Sequence, residues 1–572
     1  MHLTDEKLQP IPRKYYPKDL DVTKWETVEI ELKNLLQFPI HSADDLIKLL
    51  EKATELGQII GDEMSWRYIR MTLNADDESY ERNYTDFYSG IVSKIMPYNF
   101  EIQKMFYNSP YRKDLDTRVY GHLNKIISNY IELFKEENIP LKIQETELNN
   151  KYGSIYGKMT VTFDGQERTL TQLGTYLKNP DRKIRQEAWS LRMKKMQEHS
   201  DELDKLFDEL KAIRIQMAKN AGFENFRDYM HQSMGRFAYT PDDLMKFHDA
   251  VEKTVLPFLK EKTEHRRQVL GLETVRPWDT AVDLDGKILK PFETTDEFVD
   301  KAITILNKVK PEYAQQLNKM QNTGLLDLEN RKGKAPGGYN NGLNELGSSF
   351  IFMNAVKLHR DVVTLLHESG HAMHSMSMPN ISIDYYRETP SEVAELASMS
   401  MELLTMEHWS EYYPNPEDFK KAKRDQLEGT LAFMPWCMTV DAFQQWIYTH
   451  PDHTPEERRN FFLSLSERFG VGIDWSGLVD LRKIAWMFQL HIFEVPFYYI
   501  EYGMAQLGAL AIYKNYRQNG RKAIDVYQSF LNLGYSKPVD ELYKAAGIKF
   551  DFSSEYMQEL VDFVKEELKE LE

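Results

Sequence analysis

The segment HESGHAMH, residues 367–374, places three histidines and a glutamate within eight positions. On a helix, at about 100° per residue, His371 falls about 40° from His367 and His374 about 20° to the other side. His367 and His371 are one turn apart, about 6 Å along the axis. Their ring nitrogens can converge on one ion at metal–nitrogen distances of about 2.0–2.1 Å. His374 lies about 10.5 Å from His367 by the same rise, too far to share that ion. Glu368 follows the first histidine, where a carboxylate can take a proton from a metal-activated water, as HExxH metalloproteases require. Gly370 costs this helix about 1 kcal/mol relative to alanine and signals something packed closely against that face.

Two histidines leave a metal short of ligands. A metzincin would continue as HExxHxxGxxH, but His374 stands at the glycine position and Ser377 at the third histidine. The other solution is a glutamate from a following helix, with an open fourth position. The stretch DYYRETPSEVAELASMSMELL, 384–404, offers Glu388, Glu392 and Glu395. Thr389-Pro390-Ser391-Glu392 reads as a helix start with a T-x-x-E capping box, which assigns Glu392 to the cap. Glu388 and Glu395 remain, seven residues apart. Only one is expected to reach the ion, leaving the other to orient a ligand histidine. Spacing leaves that choice open.

The elements that must position these groups are mostly helical. Apolar residues recur three and four apart through 41–60, 197–220, 241–270 and 293–322. In SIYGKMTVTFDGQERTLTQL, 154–173, alternation around Asp164-Gly165 predicts a β-hairpin. RKGKAPGGYNNGLNELGSS, 331–349, reads as a loop, and FIFMNAV, 350–356, as a short apolar strand just before the histidine helix. In HIFEVPFYYIEY, 491–502, His491, Tyr498 and Tyr502 fall within about 20° of one line if Pro496 leaves the helical register intact.

Composition narrows the function. The chain has 572 residues, 42% hydrophobic and 28% charged, as in ordinary globular proteins. Net charge is 72 − 89 = −17, which argues against nucleic acid as a partner. No uninterrupted apolar run is long enough to span a membrane, and MHLTDEKLQPIPRKYY lacks the pattern of a secretory signal. The single cysteine, Cys437, allows no intrachain disulfide and reads as a buried small hydrophobe. These features predict a cytoplasmic protein.

HESGHAMH followed by RETPSEVAELASMSMELL resembles the thimet oligopeptidase and oligoendopeptidase F family of zinc metallopeptidases, and more closely its bacterial oligoendopeptidase branch. SIYGKMTVTFDGQERTLTQLGTYLKNPDRKIRQEAW, NAGFENFRDYMHQSMGRFAYT, KAPGGYNN and HIFEVPFYYIEYGMAQLGAL agree with it, over roughly residues 150–545. The resemblance implies a mainly α, ellipsoidal zincin-like fold with a deep substrate channel and a small sheet near the zinc helix. It divides into an N-terminal helical region, 1–200, containing the hairpin near 154–171, and a catalytic region, 201–572. It implies one Zn²⁺ held by His367, His371 and Glu388, with Glu395 relegated to orienting a ligand. Glu368 would activate the zinc-bound water. His491 with Tyr498, Tyr499 or Tyr502 would stabilise the oxyanion, where one donor is worth about 2.7–4 kcal/mol. FIFMNAV would be an edge strand pairing with extended peptide substrates, drawing Gly338, Tyr339, Phe350 and Phe352 into substrate binding. The implied activity is endopeptidase hydrolysis of short oligopeptides. A dipeptidyl carboxypeptidase and a non-catalytic zinc-containing peptide binder are the alternatives.

Overall fold

The computed structural model describes residues 9–572. The helices that bear on the site are, in chain order, α1 (Ala43–Leu73), α2 (Ser200–Asn220), α3 (Pro241–Val269), α4 (His359–Met376), α5 (Ser391–Thr405), α6 (Met434–Thr449), α7 (Leu490–Glu494), α8 (Tyr499–Asn519) and α9 (Arg521–Leu531). The strands are β1 (Thr160–Phe163), β2 (Gln166–Thr169), β3 (Leu326–Glu329), β4 (Tyr339–Leu343) and β5 (Ser348–Ala355). The fold is mainly helical, as expected. Among the described residues no helix is long and apolar enough to cross a membrane.

The chain forms two compact units, and both are discontinuous in sequence. The first gathers the described residues up to Glu132, Leu289–Lys423 and Gly508–Phe550. The second gathers Leu133–Ile288, Arg424–Leu507 and Asp551–Glu572. The boundary expected at residue 200 coincides with the start of α2, inside the second unit.

In the first unit, the Ser42 side chain accepts from the Asp45 amide and starts α1. Leu46 and Leu50 of α1 share an apolar cluster with Phe106, Leu123, Ile127, Ile383 and Tyr386. That cluster pins the connection between α4 and α5 to α1. Thr54 Oγ1 accepts from the Asp384 amide at 3.0 Å, and Tyr386 Oη donates to the Val119 carbonyl at 2.7 Å.

A three-stranded sheet in the order β3-β5-β4 lies beside α4. β5 runs parallel to β3 and antiparallel to β4, with Tyr339 opposite Phe352 and Asn341 opposite Phe350. FIFMNAV is therefore the central strand and not an edge. It pairs with β4 over 348–352 and with β3 at Ile351, Phe352 and Ala355. Phe350 and Phe352 are buried, with Phe352 stacked on Tyr339 at 4.8 Å between ring centres. Part of the expected loop is strand: β4 falls within 331–349. The remainder is tied down by Lys334, whose ammonium donates to the Asp327 carboxylate at 2.7 Å and to the carbonyls of Asp327, Glu329 and Met353.

The second unit contains the hairpin, shorter than expected at β1–β2 with Asp164 and Gly165 at positive φ in the turn, because 154–157 continue a helix. α3 begins at Thr240, whose hydroxyl accepts from the Asp243 amide in a capping box. Cys437 is buried in α6. The helix expected over 293–322 is two helices, Thr295–Val309 and Pro311–Thr323, broken where Lys310, preceding a proline, is driven to extended backbone.

Candidate metal centre and active site

α4 starts where Asp361 Oδ2 accepts the amides of Val356 and Leu358, both at 2.8 Å. This aligns the histidine turn directly behind β5. α5 packs on α4 with the two chains running past each other through Gly370. A Cβ on Gly370 would lie 2.6 Å from Ser398 Cα and 3.1 Å from the Ala397 carbonyl, so the backbones meet where only glycine fits. Two residues flank each side of that contact: His367 and His371 on α4, Glu395 and Glu402 on α5. The pairing is crossed in sequence order. Glu402 meets His367, while Glu395 faces both histidines.

Glu395 Oε2 lies 3.3 Å from His367 Nε2 and 3.7 Å from His371 Nε2. Ligands at about 2.0–2.2 Å on a tetrahedral ion stand about 3.3–3.5 Å apart, so these three atoms fit one small cation. His367 Nδ1 donates to Glu402 Oε1 at 2.7 Å, which leaves Nε2 as the ligand atom. Ser398 Oγ donates to Glu395 Oε2 at 3.2 Å. Burial opposes a charge on His367, but the Glu395 and Glu402 carboxylates outweigh it and raise its pKa. Burial pushes His371 down to about 4 and Glu368 up to about 7. Burial also works against ionised Glu395, yet the two histidines hold it below its ordinary value.

Glu388, expected as the third ligand, is not in this cluster. It lies ahead of α5 and is exposed to solvent. Glu395, expected to orient a ligand, faces both histidines, and Glu402 is the carboxylate bonded to His367 Nδ1. The expected capping box is also absent. Pro390 is the residue before α5, no side chain caps the helix, and Glu392 is buried. Sequence reasoning missed Glu402, although Glu395 and Glu402 are themselves seven residues apart, two turns on one face. His374 points away into the core against Phe530, with Nε2 lacking a hydrogen bond and its pKa pushed down to about 3.

His491, Tyr498, Tyr499 and Tyr502 assemble in the second unit. Pro496 does break the register: α7 ends at Glu494, Phe497 sits at φ 67°, and α8 starts at Tyr499. The chain turns back so that the His491 ring lies 4.8 Å from Tyr499 and 6.0 Å from both Tyr498 and Tyr502. Buried side chains hold the unusual backbone of Phe497 from both ends. Its amide donates to Gln444 Oε1 at 2.8 Å, and Arg236 donates to its carbonyl and, at 2.7 Å, to Glu501 Oε1 on α8. Arg214 likewise donates to the carbonyls of Ile492 and Phe493 in α7. Burial pushes His491 down to about 4 and raises Tyr499.

Residues 175–562 match the family model described as Peptidase family M3, and residues 19–134 match the Peptidase M3 N-terminal domain. The chain belongs to peptidase family M3. It is a metallopeptidase by that membership, and the matched range contains the HExxH helix, the paired glutamates of α5 and the small sheet. The chain is similar to an oligoendopeptidase F homolog from Borreliella burgdorferi, 26% identical over 456 residues, covering 76% of this chain and 74% of the relative. It is 22% identical over 599 residues to the group B oligopeptidase PepB of Streptococcus agalactiae, 96% of this chain and 94% of that one. The solved structure of PZ peptidase A with an inhibitor superposes with a TM-score of 0.87 at 26% identity, over 97% of this chain and 99% of the other.

Proposed function

We propose that this M3 peptidase is a zinc endopeptidase of short oligopeptides, with His367, His371 and Glu395 as the metal ligands and Glu368 as general base. The observation that carries the reading is the convergence of those three ligand atoms in front of Glu402, with the Glu368 carboxylate on the same helical turn. Two histidines, one carboxylate and an open fourth position are the donor set of catalytic rather than structural zinc. Zinc, when bound, polarises the scissile carbonyl and acidifies a water.

Glu368 accepts the attacking water's proton on a carboxylate oxygen and delivers it to the leaving amine. Its burial supports this role by keeping proton affinity near neutrality, and a neighbouring dication draws that affinity down. Glu402 holds the His367 ring with Nε2 forward. His491 and a tyrosine from Tyr498, Tyr499 and Tyr502 donate to the carbonyl oxygen as it gains charge. Substrate pairing falls to β4, whose sole strand partner among the described residues is β5, with Gly338 and Tyr339 at its start. Backbone pairing of this kind suits peptides of many sequences.

The test is Glu368→Gln, with zinc content measured by mass spectrometry and cleavage of a mixed peptide library mapped with and without chelator. The expected result is full zinc loading, loss of cleavage by at least about 10²-fold, and internal cuts in the wild-type digest that vanish with chelator. Wild-type rates in the zinc-loaded variant refute the general-base assignment. Cuts only in pairs from one terminus refute the endopeptidase assignment. The same digests read the length limit of the substrates.

A further inference from the structure

His491 has two ring nitrogens, and which one carries the proton decides whether it can donate a hydrogen bond to a substrate. Two neighbours in the second unit decide that question. The Trp436 indole Nε1 is a donor and nothing else, and it points at Gln489 Oε1 from 2.8 Å. This contact fixes which end of the Gln489 amide is oxygen. The NH₂ end then faces His491 Nδ1 at 2.6 Å. A donor facing Nδ1 requires a lone pair there, so the neutral imidazole carries its hydrogen on Nε2. The low proton affinity of His491 keeps the ring neutral near pH 7, so a single tautomer is selected.

Gln489 is well suited to hold this geometry. It lies between α7 and the preceding turn, extended at ψ 95°, and the Arg214 contacts immobilise the helix that follows. The rings of Tyr498, Tyr499 and Tyr502 lie 6.0, 4.8 and 6.0 Å from that of His491.

We propose that Gln489, oriented by Trp436, is a positioning residue that locks His491 as the Nε2–H tautomer and so arms it to donate to the substrate's carbonyl oxygen. This rests on the reading of His491 given above. It adds two residues, Trp436 and Gln489, that carry no charge and touch no reacting atom.

The experiment compares Q489E, Q489M, W436F and H491A in the zinc-loaded full chain. Kinetics on one peptide are combined with ¹⁵N chemical shifts of His491 in the resting enzyme. In wild type, Nδ1 is expected to resonate as a bare nitrogen and Nε2 as a protonated one. In Q489E a carboxylate replaces the NH₂ and calls a proton onto Nδ1. The expected kcat falls 10- to 1000-fold, bounded by the loss of about 10²–10³ for a removed oxyanion donor, with KM changed less than about twofold. Q489M and W436F fall between wild type and Q489E and show a mixture of tautomers, which carries the test if Q489E does not fold. A bare Nε2 in wild type overturns the proposal. So does a Q489E enzyme with Nδ1 protonated and kcat within twofold of wild type. If H491A is slow while the Gln489 and Trp436 variants keep wild-type kcat, only the Gln489 proposal fails. If H491A itself keeps wild-type kcat, the His491 reading fails and the proposal falls with it.

Discussion

Gly370→Ala puts two opposing terms on one methyl group. Alanine favours a helix interior over glycine by about 1 kcal/mol, so by propensity alone the variant gains stability. The added Cβ would stand 2.6 Å from Ser398 Cα and 3.0 Å from Met401 Cβ. Carbon–carbon contact needs about 3.5–4.0 Å, so α4 and α5 must separate by about 1 Å. Backbone cannot yield as a side-chain tip can, and overpacking of this kind costs about 1–3 kcal/mol. The net effect on stability is small or unfavourable, at most about 2 kcal/mol. The effect on the metal is larger, because the two helices carry opposite halves of the ligand set. A shift of about 1 Å takes Glu395 outside a metal–oxygen bond of about 2.0–2.2 Å. Zinc affinity is expected to fall at least 10- to 100-fold, and kcat/KM by about 10²-fold when zinc is saturating. Zinc is titrated against a chromophoric chelator, and the metal-free form is melted by circular dichroism. A variant that binds zinc as wild type does and melts higher would refute the claim that this contact sets the ligand spacing.

Glu402→Ala should lower zinc affinity about 10–100-fold with little change in fold, read by the same titration, because His367 loses the carboxylate that holds its ring. Arg236→Lys keeps the charge but not the fork that grips both Phe497 and Glu501. It should cut kcat severalfold while leaving zinc content unchanged. Zinc at 1,000 times its Kd should stabilise the folded chain by about 4 kcal/mol, seen as a melting temperature that climbs with free zinc and drops on chelation. Asp62 is buried and pushed up to about 6 from 3.8. The folded state therefore holds its proton more tightly than the unfolded one, and stability should decline by about 3 kcal/mol at most as pH rises from about 4 to about 6. Urea melts across that range should show the slope, and Asp62→Asn should flatten it.

The sequence carried the catalytic turn almost entirely. The HExxH spacing, the exclusion of His374 and the close approach at Gly370 all follow from helical geometry, and each agrees with the structure. What spacing leaves open is the step across the connection between helices. Periodicity fixes angles within α5 but not its axial position against α4, and a seven-residue interval occurs twice, at Glu388–Glu395 and at Glu395–Glu402. The family resemblance points to Glu388, two turns ahead of the carboxylate that faces both histidines. The Thr389 capping pattern bears on Glu392 alone, and there Pro390 stands before α5 with no side-chain cap while Glu392 is buried. The place of β5 was illegible for a related reason. An apolar run is equally consistent with a buried edge or a buried centre until its partners are known, and one of those partners, β4, lies in a glycine- and asparagine-rich stretch with weak strand propensity. The tyrosine cluster was seen, but through a helix that Pro496 does not permit. The interleaving of the two units left no local mark at all.

That interleaving has a consequence for how the enzyme is made. α5 is covered by residues synthesised much later: Tyr527 donates to the Ala397 carbonyl across 130 residues, and Tyr543 to the Glu392 carbonyl across 151. At about 5–20 residues per second, α5 precedes the tyrosines that bond its backbone by about 7–30 s. The packing of the helix that carries Glu395 and Glu402 is thus completed late in biosynthesis. The two carboxylates are made well before the tyrosines that fasten their helix, so the spacing of the cluster waits on the last residues of the first unit.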